Sequence, residues 1–310
     1  MNALSNTTVL VTGAAGDQGV ATVRHLLEAG HTVRAFDVAD PDSPRPQYLR
    51  GLGAEYVQGD LADSASIDKV MTGAEAVFAV PVGAPGSESV KTDNAARLIE
   101  GAERADVGMF VQTTVAGLER HLVAGDFGTG HHADEYAAAR LKIEARLRTS
   151  TLERWVVLRP VTLMENFLPP KAYGMFPWLA EGRLDSVHAV GVPVQLVSVV
   201  DIARFTVAAL REPERFDRQI IELIADELPL EEVATSLSDA TGSRITYQPL
   251  SVPRAVEAGM RPGVAHSQEW ANRIGYGAPS ADALHKAWGI AMTPFAEWAR
   301  AHADTFDVPH

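Results

Sequence analysis

The stretch from Thr8 to Asp37 constrains this chain most. It runs Thr8-Val9-Leu10-Val11, an apolar strand, into Thr12-Gly13-Ala14-Ala15-Gly16-Asp17-Gln18-Gly19. An amphipathic helical pattern follows, with Val20, Val23 and Leu27 on one face and Gly30 as a stop, and then a second strand that ends in Asp37. A strand, a three-glycine turn and a helix within ~30 residues of a βαβ unit form the device that holds the pyrophosphate of a dinucleotide. Gly13 permits the tight turn, Gly16 removes a side chain where backbone approaches phosphate, and Gly19 lets helix and strand pack closely. The helix start, with Ala15, Asp17 and Gln18 in the same turn, offers N–H groups and a partial positive charge to an anion. Asp37 stands eighteen residues beyond Gly19, where a carboxylate accepts hydrogen bonds from the adenosine ribose hydroxyls. A 2′-phosphate ~4 Å from that carboxylate meets repulsion of about 4 kcal/mol per charge pair at an effective dielectric near 20, so NAD(H) is expected over NADP(H). Arg34 would oppose this, but three residues earlier on the same strand it points to the other face.

Downstream, short apolar runs alternate with longer helical patterns, the form of a parallel sheet covered on both faces. Strands are expected at Thr8–Val11, Thr32–Phe36, Glu55–Gln58, Ala76–Val80, Met109–Gln112 and Trp155–Leu158. Helices of crossover length are expected at about Asp17–Ala29, Ser64–Met71, Ser87–Arg104 and Ala133–Arg148. The expected fold is α/β, a doubly wound parallel sheet of Rossmann type with a smaller, mainly helical C-terminal substrate lobe. Residues 1–160 form the dinucleotide domain and 161–310 mainly the substrate lobe, with a segment at about 192–225 returning to the first. In that segment Asp201 is expected to cap the helix Ile202–Leu210, and near the end Thr293 to cap a helix that opens with Pro294.

Composition narrows the function. Charged residues make up 22% and hydrophobic residues 46%, as in globular domains. The net charge of −13 and the scattered arginines disfavour nucleic acid, which needs a concentrated basic surface. With no cysteine there are no disulfides, thiol nucleophiles or thiolate metal sites. No His-x-x-x-His pattern with a carboxylate partner occurs, so no metal is expected; nor is there a Gly-x-Ser-x-Gly elbow. His131 and His132, after the glycine-rich 125–130 loop, read as a solvated helix start. The amino terminus lacks a signal pattern and no apolar run approaches ~20 residues, so no membrane partner and a cytoplasmic location are expected. Homo-oligomerisation is left open.

Several further motifs bear a family likeness. They are Gly59-Asp60-Leu61 with Asp63, Leu141-Lys142-Ile143-Glu144, Leu158-Arg159-Pro160, Met164-Glu165-Asn166-Phe167 and Val200-Asp201-Ile202-Ala203. With the glycine turn, they make the chain resemble the NmrA-like family, an atypical branch of the short-chain dehydrogenase/reductase superfamily, over nearly its whole length. The resemblance implies that Asp60 and Leu61 flank the adenine and that the loop from Ala79 through Val80 and Pro81 to Gly83 borders the nicotinamide ribose and ring. It adds Pro160 to the cofactor contacts, implies that Lys142 grips that ribose, and places the hydroxyl of Thr113 or Thr114 near the reacting carbon.

Ordinary superfamily enzymes carry a tyrosine four residues before that lysine, where this chain has Ala138. Tyr136, six residues before Lys142, lies about 240° round the helix from it and cannot simply replace that acid, which leaves Lys142 or a threonine-bound water as the proton source. Without the usual acid, reduction of a simple ketone should be slow, whereas a quinone or conjugated cation needs mainly orientation. Met164, Phe167, Tyr173, Phe176 and Trp178 suit the wall of a pocket for such a flat, small molecule. The expected function is therefore an NAD(P)H-dependent oxidoreductase with Lys142, Thr114 and Tyr136 as catalytic candidates. The alternative is a non-catalytic dinucleotide-binding redox sensor.

Overall fold

A computed structural model describes residues 6–83, 87–123 and 132–308, with the side chains of residues 132 and 133 excepted. The 125–130 loop and His131 lie outside the described residues. In chain order the strands are β1 (Thr8–Thr12), β2 (Thr32–Asp37), β3 (Glu55–Gln58), β4 (Ala76–Ala79), β5 (Met109–Thr113) and β6 (Trp155–Pro160). Then come β7 (Thr162–Leu163), β8 (Arg183–Ser186), β9 (Pro193–Val197), β10 (Gln219–Leu223), β11 (Asp226–Pro229) and β12 (Thr246–Pro249). The helices that matter for the site are α1 (Asp17–Glu28), α2 (Pro44–Gly51), α3 (Ser64–Met71), α4 (Glu88–Arg104), α5 (Leu118–Val123) and α6 (His132–Arg148).

The chain divides into two compact units. The first comprises residues 1–115, 136–159 and 202–222. Its seven-stranded sheet has the order β10-β6-β5-β4-β1-β2-β3, and the pairs from β6 through β3 are parallel. This is the doubly wound order, with its reversal between β1 and β4, where ligands of such sheets bind beyond the carboxyl ends of the strands. Continuous apolar runs make strands buried on both faces; β4, β5 and β6 are buried throughout. Leu10, Val77, Phe110 and Val157 of the sheet share one core with Ile67 and Met71 of α3 and Leu98 and Ile99 of α4.

The second unit comprises residues 116–135, 160–201 and 223–310. It holds a three-stranded sheet, β11-β9-β7, a β12-β8 pair and helices that include Leu230–Thr241, Pro262–Arg273 and Phe295–Ala301. Two expected caps are corrected. The helix after β9 starts at Val199, so Asp201 lies in its first turn instead of capping it. There its carboxylate accepts from the Thr293 N–H (3.1 Å) and hydroxyl (2.9 Å), which makes Thr293 a donor to Asp201 while Pro294 holds the N-cap position.

Candidate functional site

The glycine turn is shaped by the protein's own packing. Gly13 has φ +60°, and its carbonyl accepts the Gly16 N–H at 2.9 Å. A Cβ on Gly19 would lie 2.2 Å from the Gly13 oxygen and 2.6 Å from the Ala14 Cα, both backbone, so α1 reaches this close to β1 only through glycine. A Cβ on Gly16 would stand 3.1 Å from the Gly13 oxygen, a milder demand. Gly16 is the N-cap of α1 and no side chain caps the helix there. The opening N–H groups of a helix have no partner within it, so this turn offers them to an anion.

Asp37 is tied to that turn. Its Oδ2 accepts the Ala15 N–H at 2.9 Å and its Oδ1 the Ala39 N–H at 3.0 Å. A carboxylate has about four lone-pair positions, so two remain for hydroxyl donors. Arg34 is engaged elsewhere: it donates to Glu55 at 2.9 Å and to the carbonyls of Val70 and Thr72. The cation beside the turn is Arg45 of α2, which donates to the Ala15 carbonyl at 2.7 Å and to Asp17 Oδ1 at 2.6 Å. At the end of β3, Asp60 is exposed and accepts the Ala62 N–H at 2.9 Å, while Leu61 is buried in the core. Beyond β4, Val80 and Pro81 are half-buried, and the Val82 carbonyl accepts from Asn94 at 3.2 Å.

The two cations in the middle of α6 have different surroundings. Lys142 is exposed, whereas Asp134, Ala137, Ala139, Arg140, Ile143, Glu144 and Leu147 are buried. Arg140, 5% exposed, precedes Lys142 by two positions and so points about 200° away from it. Tyr136 lies one turn before Arg140, whose guanidinium sits 3.9 Å from the centre of the phenol ring. The chain thus carries a Tyr136-x-x-x-Arg140 pair on one face of α6. Arg140 also donates to Glu88, which Lys91 contacts at 2.6 Å. Burial pushes the Glu88 carboxyl up, but the Lys91 hydrogen bond and the Arg140 charge outweigh it and hold the group below the usual carboxylate range. Arg140 Nε is buried with no hydrogen-bond partner among the described residues.

Thr114 already has a partner within the protein. Its hydroxyl donates to the buried Glu144 at 2.8 Å, and Arg159 clamps the same carboxylate through Nε (2.9 Å) and Nη2 (2.7 Å). The Thr114 proton is therefore committed, and lone pairs are what it can offer. Thr113, fully buried, points its hydroxyl at the Ala79 carbonyl at 3.4 Å. Pro160 closes β6, also buried.

Within the second unit, packing claims most of the expected aromatic wall. Phe167 stacks on Phe176 (4.7 Å, 6°) and meets Phe295 edge-on, and Met164 is fully buried, so these three line the core and not an open wall. Glu165 between them is a polar hub: it accepts from the Ser198 hydroxyl (2.9 Å), the Val199 N–H and Trp298 Nε1 (3.1 Å), and burial raises its pKa. Tyr173 is exposed and donates to Asp307; Trp178, half-buried, carries the Arg183 guanidinium 4.4 Å over its ring. A cavity of about 420 Å³ in this unit is lined by Arg120, Gln195, Glu227, Asn272 and Tyr276 among others, residues the sequence did not single out. Arg120 lies flat against Gly277, where a Cβ would come within 2.0 Å of its guanidinium.

Among the described residues no group of three metal-ligating side chains occurs and no helix is long and apolar enough to cross a membrane. The uncapped α1 start, the glycine-forced approach and Asp37 beside them fit a dinucleotide. The family comparisons agree with this geometry. A (4-alkanoyl-5-oxo-2,5-dihydrofuran-3-yl)methyl phosphate reductase of Streptomyces griseus subsp. griseus is 28% identical over 306 residues, covering 96% of this chain and 99% of its own. An NAD(P)H azoreductase of Xenophilus azovorans is 26% identical over 311 residues, covering 96% and 99%. The Citrobacter sp. triphenylmethane reductase solved with NADP(H) has the same fold, with a TM-score of 0.73 at 21% identity over 95% of this chain and 99% of that one. The model of the NmrA-like family matches residues 5–300, and the chain belongs to that family.

Proposed function

We propose that this chain is an NAD(P)H-dependent oxidoreductase that reduces a small, flat aromatic or quinone-like acceptor. The observation that carries the reading is the clasp of the Ala15 N–H by Asp37 at the uncapped start of α1, which places a carboxylate beside an anion-binding helix end. Bound there, the nicotinamide supplies hydride. Gly13, Ala15, Gly16, Asp17, Gln18 and Gly19 hold the pyrophosphate, Asp37 the adenosine ribose, and Asp60 and Leu61 the adenine side. Ala79, Val80, Pro81, Thr113 and Pro160 border the nicotinamide end. The charge on Asp37 favours NAD(H) over NADP(H).

On α6 the buried Arg140 takes the role first expected of Lys142. Arginine keeps its proton throughout the pH range of proteins, so Arg140 orients and stabilises but relays no proton; Tyr136, under its guanidinium, donates the proton. Acceptors that generate a weakly basic product ask little of that phenol, in keeping with the azo and triphenylmethane substrates in the names of two related proteins. Tyr173 and Trp178, the accessible aromatics of the 164–178 stretch, are the acceptor contacts. A cytoplasmic location, where reduced nicotinamide is supplied, goes with this reading.

The test is loss of NADH absorbance on addition of quinones, azo dyes and triphenylmethane dyes. Oxidation with at least one class, lowered about 10²-fold in kcat/KM by Arg140→Ala, is the expected result. Tight dinucleotide binding with no oxidation across the panel would overturn catalysis and leave a redox-sensing binding protein.

A further inference from the structure

The cavity of the second unit has one wall at the start of β9 with Glu227 of β11, and another in the segment that follows the helix Pro262–Arg273. Two side-chain amides fix that segment at its ends. Asn272 donates to the Val187 carbonyl at 2.9 Å and accepts the Ala189 N–H at 2.8 Å. Gln195 donates to the Ala278 carbonyl at 3.1 Å and accepts the Ala278 N–H at 3.0 Å. The wall is therefore held in place by the protein itself. Arg120 of α5 reaches the cavity across Gly277, where a Cβ would lie 2.0 Å from its Nε and 2.1 Å from its Cζ, so glycine leaves the guanidinium its seat. Nη1 donates to the Ile274 carbonyl at 2.8 Å. A guanidinium has five donors, and among the described residues no carboxylate pairs with this one.

We propose that this cavity is a binding site for a small, flat organic acid with a single anionic group, a carboxylate or sulfonate held by Arg120. The inference does not depend on the oxidoreductase reading and needs no coenzyme. The charged residues of the lining are Arg120, Arg273 and Glu227, one net positive charge in a chain whose net charge is −13. A free planar fork beside that excess matches the geometry of a carboxylate or sulfonate. Val192, Val194 and Tyr276 add the apolar surface that a ring system needs, and about 420 Å³ lies within the range of small-molecule pockets. Glu227, whose Oε2 accepts from Gln195 at 3.3 Å, repels a second negative charge and so selects monoacids over diacids.

The experiment is calorimetric titration of two redox-inert probes with the same ring system, naphthalene-2-sulfonate and 2-naphthol, into wild type, Arg120→Ala, Arg120→Lys, Gly277→Ala and Glu227→Gln without coenzyme. Wild type should bind the sulfonate about tenfold more tightly than the naphthol, the gain from a charge-assisted contact, and less so at high salt. Arg120→Ala should erase that preference and leave 2-naphthol binding unchanged, which shows the cavity intact; Arg120→Lys should keep part of it. Gly277→Ala retains the charge but displaces it from its seat, and should erase the preference as well. Glu227→Gln should raise the affinity for the sulfonate. An Arg120→Ala protein that loses both probes equally would overturn the proposal and make Arg120 a brace for the Ile274 carbonyl. Folded wild type that binds neither probe, or both alike, would overturn it too.

Discussion

Two helices of the first unit, α1 and α6, carry site residues, and they are specified in different ways. Gly19 of α1 has no alternative, because any side chain would run into the backbone of Gly13 and Ala14. The surroundings along α6 depend on phase alone: Arg140 and Lys142 are both basic, yet one is buried against Tyr136 and Glu88 and the other faces solvent. A steric necessity leaves a residue type in the sequence that can be read singly. A helical face is read only from the whole stripe.

The comparison sharpens under substitution. The largest effect is expected at Glu144, where alanine removes the two-pronged partner of the buried Arg159 guanidinium and leaves it the more distant Glu222 at 3.8 Å; unfolding in urea should show a loss of about 3–5 kcal/mol. Gly19→Ala should cost about 3 kcal/mol, at the upper end for overpacking, because the colliding atoms are backbone and cannot rotate away. It should also abolish coenzyme binding, and a melting temperature within a degree of wild type would break the contrast. The second unit supplies a case fixed by burial. His188, whose ring nitrogen meets the Ser186 hydroxyl at 2.8 Å, is held at about 4 by desolvation. The unfolded chain takes up a proton near pH 6.5 and the folded one does not until about pH 4, so the stability contribution is complete above 6.5 and lost as pH falls toward 4. The total is about 3 kcal/mol, and His188→Asn should flatten that part of the stability profile. The smallest effect belongs to Lys142→Ala, below about 0.5 kcal/mol and without change in turnover, against a large loss of turnover for Arg140→Ala. Equal losses at the two positions would reverse the assignment of the α6 face.

The sheet was legible because its strands are unbroken apolar runs, and all six expected strands appear with ends shifted by no more than two residues. The helix α2 was not, since Pro44-Arg45-Pro46-Gln47 has neither an apolar stripe nor high helix propensity. At the candidate site, the glycine turn and the end of β2 at Asp37 are placed by spacing alone. Arg45 is not, because a side chain that reaches thirty residues back to a carbonyl has no sequence signature. The Tyr136–Arg140 pair is visible in sequence only as a four-residue interval. The phenylalanines at 167 and 176 misled because an aromatic residue serves a core and a pocket equally well, and composition cannot say which.

The carboxylate of Glu144 joins three segments at one point: the end of β5 through Thr114, the middle of α6, and β6 through Arg159. Anyone reshaping this chain to accept other molecules would find that knot unforgiving, since replacing Thr114 to enlarge room nearby also loosens the partner that keeps a buried guanidinium neutralised. Freedom to redesign lies instead with exposed uncharged side chains such as Val190 of the second unit, where a change disturbs no buried pair.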